Sequence, residues 1–253
     1  MSFIEHFILF VISLLANTFS ALSGGGAGLI QFPVLIFLGL TFSVALATHK
    51  VASVALGVGA ALRYISTSRL ERQFVILLLV AGLPGVVIGG SVILMVPDRI
   101  AEIALGVLTG SLGIYSLFKP ALGQLYTPLN RERHGYLIGA VVLFILGILN
   151  GSLTSGTGLF VTIWLILWFG MDYQRAVAYT LILVGLFWNG AGAITLGILG
   201  EIKWDWIPAL LLGSLLGGYL GSHLALRWGN RWIKRSFEIV TLLIAIRLIW
   251  GPF

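Results

Sequence analysis

Ser23-Gly24-Gly25-Gly26-Ala27-Gly28 breaks one apolar stretch of the chain, and Asn150-Gly151-Ser152-Leu153-Thr154-Ser155-Gly156-Thr157-Gly158 breaks another. Backbone freed from helical bonding at membrane depth is tolerated where it is buried in protein or lines a cavity. Each cluster precedes a short apolar segment, so a helix would start there with free N–H groups and the positive end of its dipole, a combination that suits an anion. A tight turn or close packing would also account for either cluster alone; the pairing of two before unusually short segments points to a site. Lys50 lies about eight residues into a further apolar segment, roughly 12 Å deep at helical rise, with His49 before it and Ser53 one turn on. A lysine at the membrane centre costs about 2.5–3.5 kcal/mol on insertion scales, unless its stem snorkels outward. His49 could carry a proton between about pH 5 and 8, or simply pack as a hydrogen-bonding residue.

The candidate substrate contacts in the first half are therefore Ser23, Gly24, Gly25, Gly26, Gly28, Gln31 and Lys50. In the second half they are Asn150, Ser155, Gly156, Thr157 and Gly158. His49 is the candidate for proton coupling. Thr180 and Asn189, like Gln31 and Asn150, suit either a pore wall or interhelical hydrogen bonds.

The elements that must position these residues are membrane helices. Of the 253 residues, 58% are hydrophobic and 9% charged, with a mean hydropathy of +1.05, whereas soluble domains carry about 25% charged residues. The expected fold is all-α and polytopic, with eight to ten spans and no separate soluble domain. The stretch Phe3–Leu22 lacks a basic leader and a small-residue cleavage site, and reads as a retained segment. With no cysteine, disulfides and thiolate metal sites are excluded. The +6 charge fits loop charges that orient a membrane protein better than nucleic-acid binding.

Apolar segments fall near 4–22, 29–40, 42–62, 74–96 and 100–118, then 136–153, 159–170, 176–198, 206–226 and 233–250. Gly26-Ala27-Gly28-Leu29 matches Gly156-Thr157-Gly158-Leu159, Gly59-Ala60 matches Gly190-Ala191, and Gly85-x-x-x-Gly89-Gly90 matches Gly213-x-x-x-Gly217-Gly218, at an offset of about 130 residues. The chain thus divides into a first repeat, 1–118, a cytoplasmic linker, 119–135, and a second repeat, 136–253. Ten of the fifteen Lys and Arg cluster in three breaks, around Arg63–Arg72, Lys119–Arg133 and Arg227–Arg235, which should face the cytoplasm. Five segments per half then make the repeats inverted, with both termini outside. The second segment of each half is about 12 residues, roughly 18 Å against a hydrocarbon core of about 30 Å, and reads best as the return arm of a re-entrant hairpin. The Gly-x-x-x-Gly faces are assigned to helix packing and are compatible with a homodimer; Trp204, Trp206, Trp228 and Trp232 are read as interfacial anchors. Glu238, inside the last segment, could pair with Arg235 or cap a helix face.

No Gly-x-Ser-x-Gly, His-Glu-x-x-His or P-loop pattern is present, and the four His are scattered, so neither an enzyme, a cofactor nor a metal site is expected. The stretch from Ser23 to Ile30, with Pro33, Gly39 and Ala45-Leu46-Ala47-Thr48-His49-Lys50, and in the second half Gly156-Thr157-Gly158, the short helix ending at Gly170 and the glycine-rich span from Leu210, resembles the TauE/SafE sulfite-exporter (TSUP) family over essentially the full length. The family's Ala-Thr-Asn-Lys pattern has His49 in place of the Asn, and Tyr179-Thr180-Leu181 carries no second Lys. The resemblance implies secondary transport of sulfite, sulfonates or related sulfur oxyanions across a prokaryotic cytoplasmic (inner) membrane. An anion channel and a non-transporting membrane scaffold or receptor are the alternative readings.

Overall fold

The computed structural model describes residues 3–65, 70–92, 98–153 and 156–250. These residues are helical, without strands among them. The helices are α1 (Phe3–Ser23), α2 (Gly28–Phe37), α3 (Phe42–Tyr64), α4 (Arg72–Val92), α5 (Asp98–Leu117), α6 (Arg133–Leu153), α7 (Thr157–Phe169) and α8 (Tyr173–Tyr179). A π-helical stretch, Thr180–Trp188, then joins α8 to α9 (Asn189–Leu199), and α10 (Ile207–Trp228) and α11 (Asn230–Trp250) complete the chain.

Six helical spans among the described residues are long and apolar enough to cross a membrane: α1, α3, α4, α6, the continuous Tyr173–Leu199 rod and the α10 region. Helices α5 and α11 have similar lengths, 20 and 21 residues, but carry more charge. Helices α2 and α7 stay short, at 10 and 13 residues, as the sequence spacing anticipated.

Glycine faces set the packing. A Cβ on Gly213, Gly217 or Gly221 of α10 would strike the backbone of α1 at Phe10, Leu14 or Thr18 in turn, so the two helices run parallel. In the same way Gly85 and Gly89 of α4 lie on the backbone of α6 at Phe144 and Ile148, while Gly147 and Gly151 of α6 lie on Gly82 and Val86 of α4. Exchanging the halves maps the α1–α10 pair onto the α6–α4 pair. Helices α5 and α11 pack antiparallel through Gly110 against Ala245 and Gly113 against Thr241, and α3 crosses the π-helical stretch where Gly57 meets Gly185. Small residues let backbones approach closely in lipid, where the hydrophobic effect no longer drives helices together.

Helix α2 folds back beside α1. Gln31 Nε2 donates to Ser13 Oγ at 3.0 Å, and the Phe32 ring meets Phe42 at the start of α3. The α6–α7 hairpin enters from the opposite end of the bundle. At one end the segment before α10 meets the α1 terminus through His6 and Asp205 O, and meets α3 through the Lys203 amide, which donates to Thr48 Oγ1. At the other lie the basic connections, held by Arg131 to Glu71 at 2.7 Å, Arg63 to His223 and Gln174 to Asn230. Gly170 in the left-handed region stops α7, and Asp172 caps α8 by accepting from the Arg175 amide at 2.9 Å.

Two sequence expectations change. Trp206 is buried rather than interfacial, unlike Trp204, Trp228 and Trp232, which stay exposed. Glu238 pairs with Lys234 one turn back, not with Arg235, and also accepts from Ser116 at 2.9 Å. Helix α6 begins at Arg133, within the stretch 119–135 that was expected to link the two halves.

Candidate functional site

The two hairpin tips meet. Gly24, Gly25 and Gly26 adopt φ of +86°, +143° and +100°, and Gly156 adopts +75°, conformations that β-carbon-bearing residues rarely adopt. A Cβ on Gly25 would sit 2.7 Å from the Leu159 amide nitrogen, so the tips touch backbone to backbone. Thr162 of α7 ties them, donating to Gly24 O at 2.7 Å and lying 2.9 Å from Thr180 Oγ1.

Beside this junction is a cavity with about 40 Å³ open to the centre of a water-sized sphere, room for about three waters or one small oxyanion. Of the expected contacts, Gly25, Gly26, Gly28, His49, Asn150, Thr157 and Gly158 line it, as do Thr180 and Asn189. Others stand behind the wall. Ser23 Oγ stays within its own turn, 2.9 Å from both Phe19 O and Gly25 O, which share its one hydrogen. Gly24 is covered by Val177 and Thr162, Gly156 caps α7, and Gln31 bridges His49 and Ser13. Ser155 lies outside the described residues.

Lys50 is fully buried and neither snorkels nor lines the cavity. Its stem runs past Gly192, and Nζ donates to Asn150 O and Asn150 Oδ1, both at 2.7 Å, and to Asn189 Oδ1 at 3.1 Å. Three acceptors within reach match the three N–H groups that an ammonium can offer. Asn150 Nδ2 passes the contact on to Thr157 Oγ1 at 2.9 Å. Lys50 of α3 thereby joins α6 and α9 and stands one residue behind the cavity surface. No Asp or Glu occurs on α2, α3, α6, α7, α10 or Thr180–Leu199, and α1, which lends Ser20 to the wall, carries an acidic residue only in its first turn, Glu5.

Sequence reasoning passed over Ser20, Leu56, Leu181, Val184 and Gly185, which complete the wall, and the Thr162 tie. Leu181, Val184 and Gly185 sit on the π-helical stretch, whose wider turn rotates side chains out of the 3.6-residue register. A periodicity search built on α-helix cannot see that rotation. Ser20 Oγ is buried without a hydrogen-bond partner among the described residues. Among these residues no group of three His, Cys, Asp or Glu could hold a metal ion.

A bundle of membrane-length helices enclosing a polar cavity where two broken helices meet defines a multi-pass membrane transporter. The profile described as "Sulfite exporter TauE/SafE" matches residues 9–248, and the chain belongs to that family. It is 27% identical over 210 residues to a probable membrane transporter protein of Haemophilus influenzae, covering 82% of this chain and 80% of that protein. Over 249 residues it is 25% identical to the probable membrane transporter protein ORF9 of a Sinorhizobium species, at 96% and 92% coverage. Over 276 residues it is 24% identical to the probable membrane transporter protein YunE of Bacillus subtilis, at 99% and 98%. These names state membrane transport and no substrate, and bacterial relatives agree with an inner-membrane location. No solved structure matches the chain significantly.

Proposed function

We propose that the protein is a secondary carrier of a small oxyanion, sulfite, a sulfonate or a related sulfur-containing anion, held at the junction of the two hairpin tips and released by alternating access. The observation that carries this reading is Lys50, a fully buried cation with no acidic residue on α2, α3, α6, α7, α10 or Thr180–Leu199. A buried charge is costly unless compensated, and a ligand anion supplies the compensation the protein lacks. The hydroxyls of Ser20, Ser53, Thr157 and Thr180 line the same cavity and can donate to it. So do the first residues of α2 and α7, whose opening-turn amides have no intrahelical acceptor.

The two halves form an inverted repeat, with the basic end inside. Support comes from the matched α1–α10 and α6–α4 glycine contacts and from hairpins entering from opposite ends. Transport rocks one repeat against the other; the Lys50 bonds to Asn150 and Asn189 and the Thr162 bond to Gly24 are the cross-repeat contacts that such a motion remakes.

Melting curves of purified protein with sulfite, thiosulfate, sulfate, sulfoacetate, taurine and chloride test the assignment. A ligand that binds only the folded state raises the melting temperature. Selective stabilisation by a sulfur anion, followed by saturable counterflow in liposomes, is the expected result. Non-saturable flux would indicate a channel instead, and no response to any anion would overturn the reading.

A further inference from the structure

The wall of the cavity holds one group able to change its charge without losing its place. His49 is 3% exposed and lines the cavity together with Ser53. Its Nδ1 lies 2.8 Å from Gln31 Oε1, and its Nε2 lies 3.1 Å from Ser53 Oγ. The network behind it assigns the ring proton. Ser13 Oγ donates to Leu210 O at 2.7 Å, so it accepts from Gln31 Nε2 at 3.0 Å. Gln31 therefore presents its carbonyl oxygen, which only accepts, and Nδ1 must carry the hydrogen. Nε2 is left with its lone pair on the Ser53 side, where a proton can be added while the Gln31 bond stays intact.

The charges around that nitrogen are few. Lys50 is adjacent in sequence and, like His49, fully enclosed. Helix α2 offers Gln31, α6 offers Asn150, Thr180–Leu199 offers Thr180 and Asn189, and α1 and α10 offer Ser13, Asn17, Ser20 and Ser214, none of them ionisable. Arg63, Arg133 and Arg227 stand at the basic ends of α3, α6 and α10, and Glu5 and His6 at the far end of α1. With Lys50 as an ammonium, the protein's own contribution to the charge around the cavity is one positive charge. A monoanion neutralises it. A dianion leaves one negative charge buried, which a proton on His49 cancels.

Resting on the anion-carrier reading, we infer that His49 takes up one proton at Nε2 when a dianion enters the cavity, so that a dianion travels with one proton and a monoanion travels without. The proton comes from water, adds to the Nε2 lone pair to make an imidazolium with both N–H groups bonded, and returns to water when the dianion leaves. His49 is thereby the residue that lets one cavity accept both charge classes of oxyanion.

Calorimetric titration in two buffers of different ionisation enthalpy counts the protons bound per anion. Thiosulfate serves as a dianion and methanesulfonate as a monoanion, since neither titrates near neutral pH. The expected result is about one proton with thiosulfate and none with methanesulfonate. In H49N, whose amide N–H can replace Nδ1–H towards Gln31, proton uptake with thiosulfate is lost and thiosulfate affinity falls by at least tenfold more than methanesulfonate affinity does. His49→Gln, which extends towards Ser53 instead, serves as a second variant should H49N not purify as a folded protein. Equal proton uptake in wild type and variant, or thiosulfate binding to wild type without a proton, overturns the inference while leaving the carrier reading intact. Failure of both anions to bind wild type overturns the anion site and the coupling together.

Discussion

Lys50 illustrates how a side chain can matter to a ligand it does not touch. All three of its N–H groups are engaged by Asn150 and Asn189, so its contribution to an anion is field and positioning rather than a direct bond. Lys50→Met leaves those oxygens without their donor, each worth about 1–3 kcal/mol when buried. A lower melting temperature and loss of the anion-induced shift are both expected; a variant that keeps the full anion shift removes Lys50 from the mechanism. Thr162→Val deletes the donor to Gly24 O and should cost about 1–3 kcal/mol in unfolding, with Thr162→Ser restoring most of it. The residue types were legible in the sequence: Lys50, His49 and the glycines stand out in an apolar background. Their division of labour was not, because whether Lys50 lines a cavity or stands behind Asn150 depends on a side chain 100 positions away.

Helix pairing follows from where side chains are missing. Gly217 faces the α1 backbone at 2.6 Å from a notional Cβ to Leu14 O, and Gly89 faces the α6 backbone at Ile148 O in the same manner. Valine at either position must push two helices apart, an overpacking cost of about 1–3 kcal/mol or more. Parallel losses of monodisperse protein are expected from Gly89→Val and Gly217→Val, whereas Gly190→Ala, whose nearest neighbour is Val54 at 4.0 Å, should be neutral or slightly stabilising. Size-exclusion profiles and melting curves of the three variants decide this. Spacing alone assigned these glycines to packing, but not their partners. The π-helical stretch at Thr180–Trp188 is the element that periodicity missed, since after Thr180 its sequence has no polar residue and carries no phase to read.

Across the molecule, basic residues gather at one end of the bundle, where Arg131 pairs with Glu71 and stacks over Phe74, and Arg175 lies 3.7 Å from the Tyr126 ring. The positive-inside rule supports the proposal that this end is cytoplasmic. The chain has no cysteine, so single cysteines at the exposed positions Glu132 and Glu201 report on topology directly. Labelling of Glu132→Cys from inside and Glu201→Cys from outside is expected; labelling of both from one side contradicts the inverted arrangement.

Hydropathy and glycine spacing were enough to establish a polytopic helical protein and short segments behind glycine clusters, because lipid leaves the backbone few ways to satisfy its own hydrogen bonds. Tertiary structure alone decided that the two clusters touch, that Thr162 and Lys50 tie one half to the other, and that His49 is held by Gln31 with Nε2 on the Ser53 side. Those contacts join residues up to 139 positions apart, and their geometry is set by how closely glycine-faced helices can approach, a property of the assembled bundle that no single segment contains.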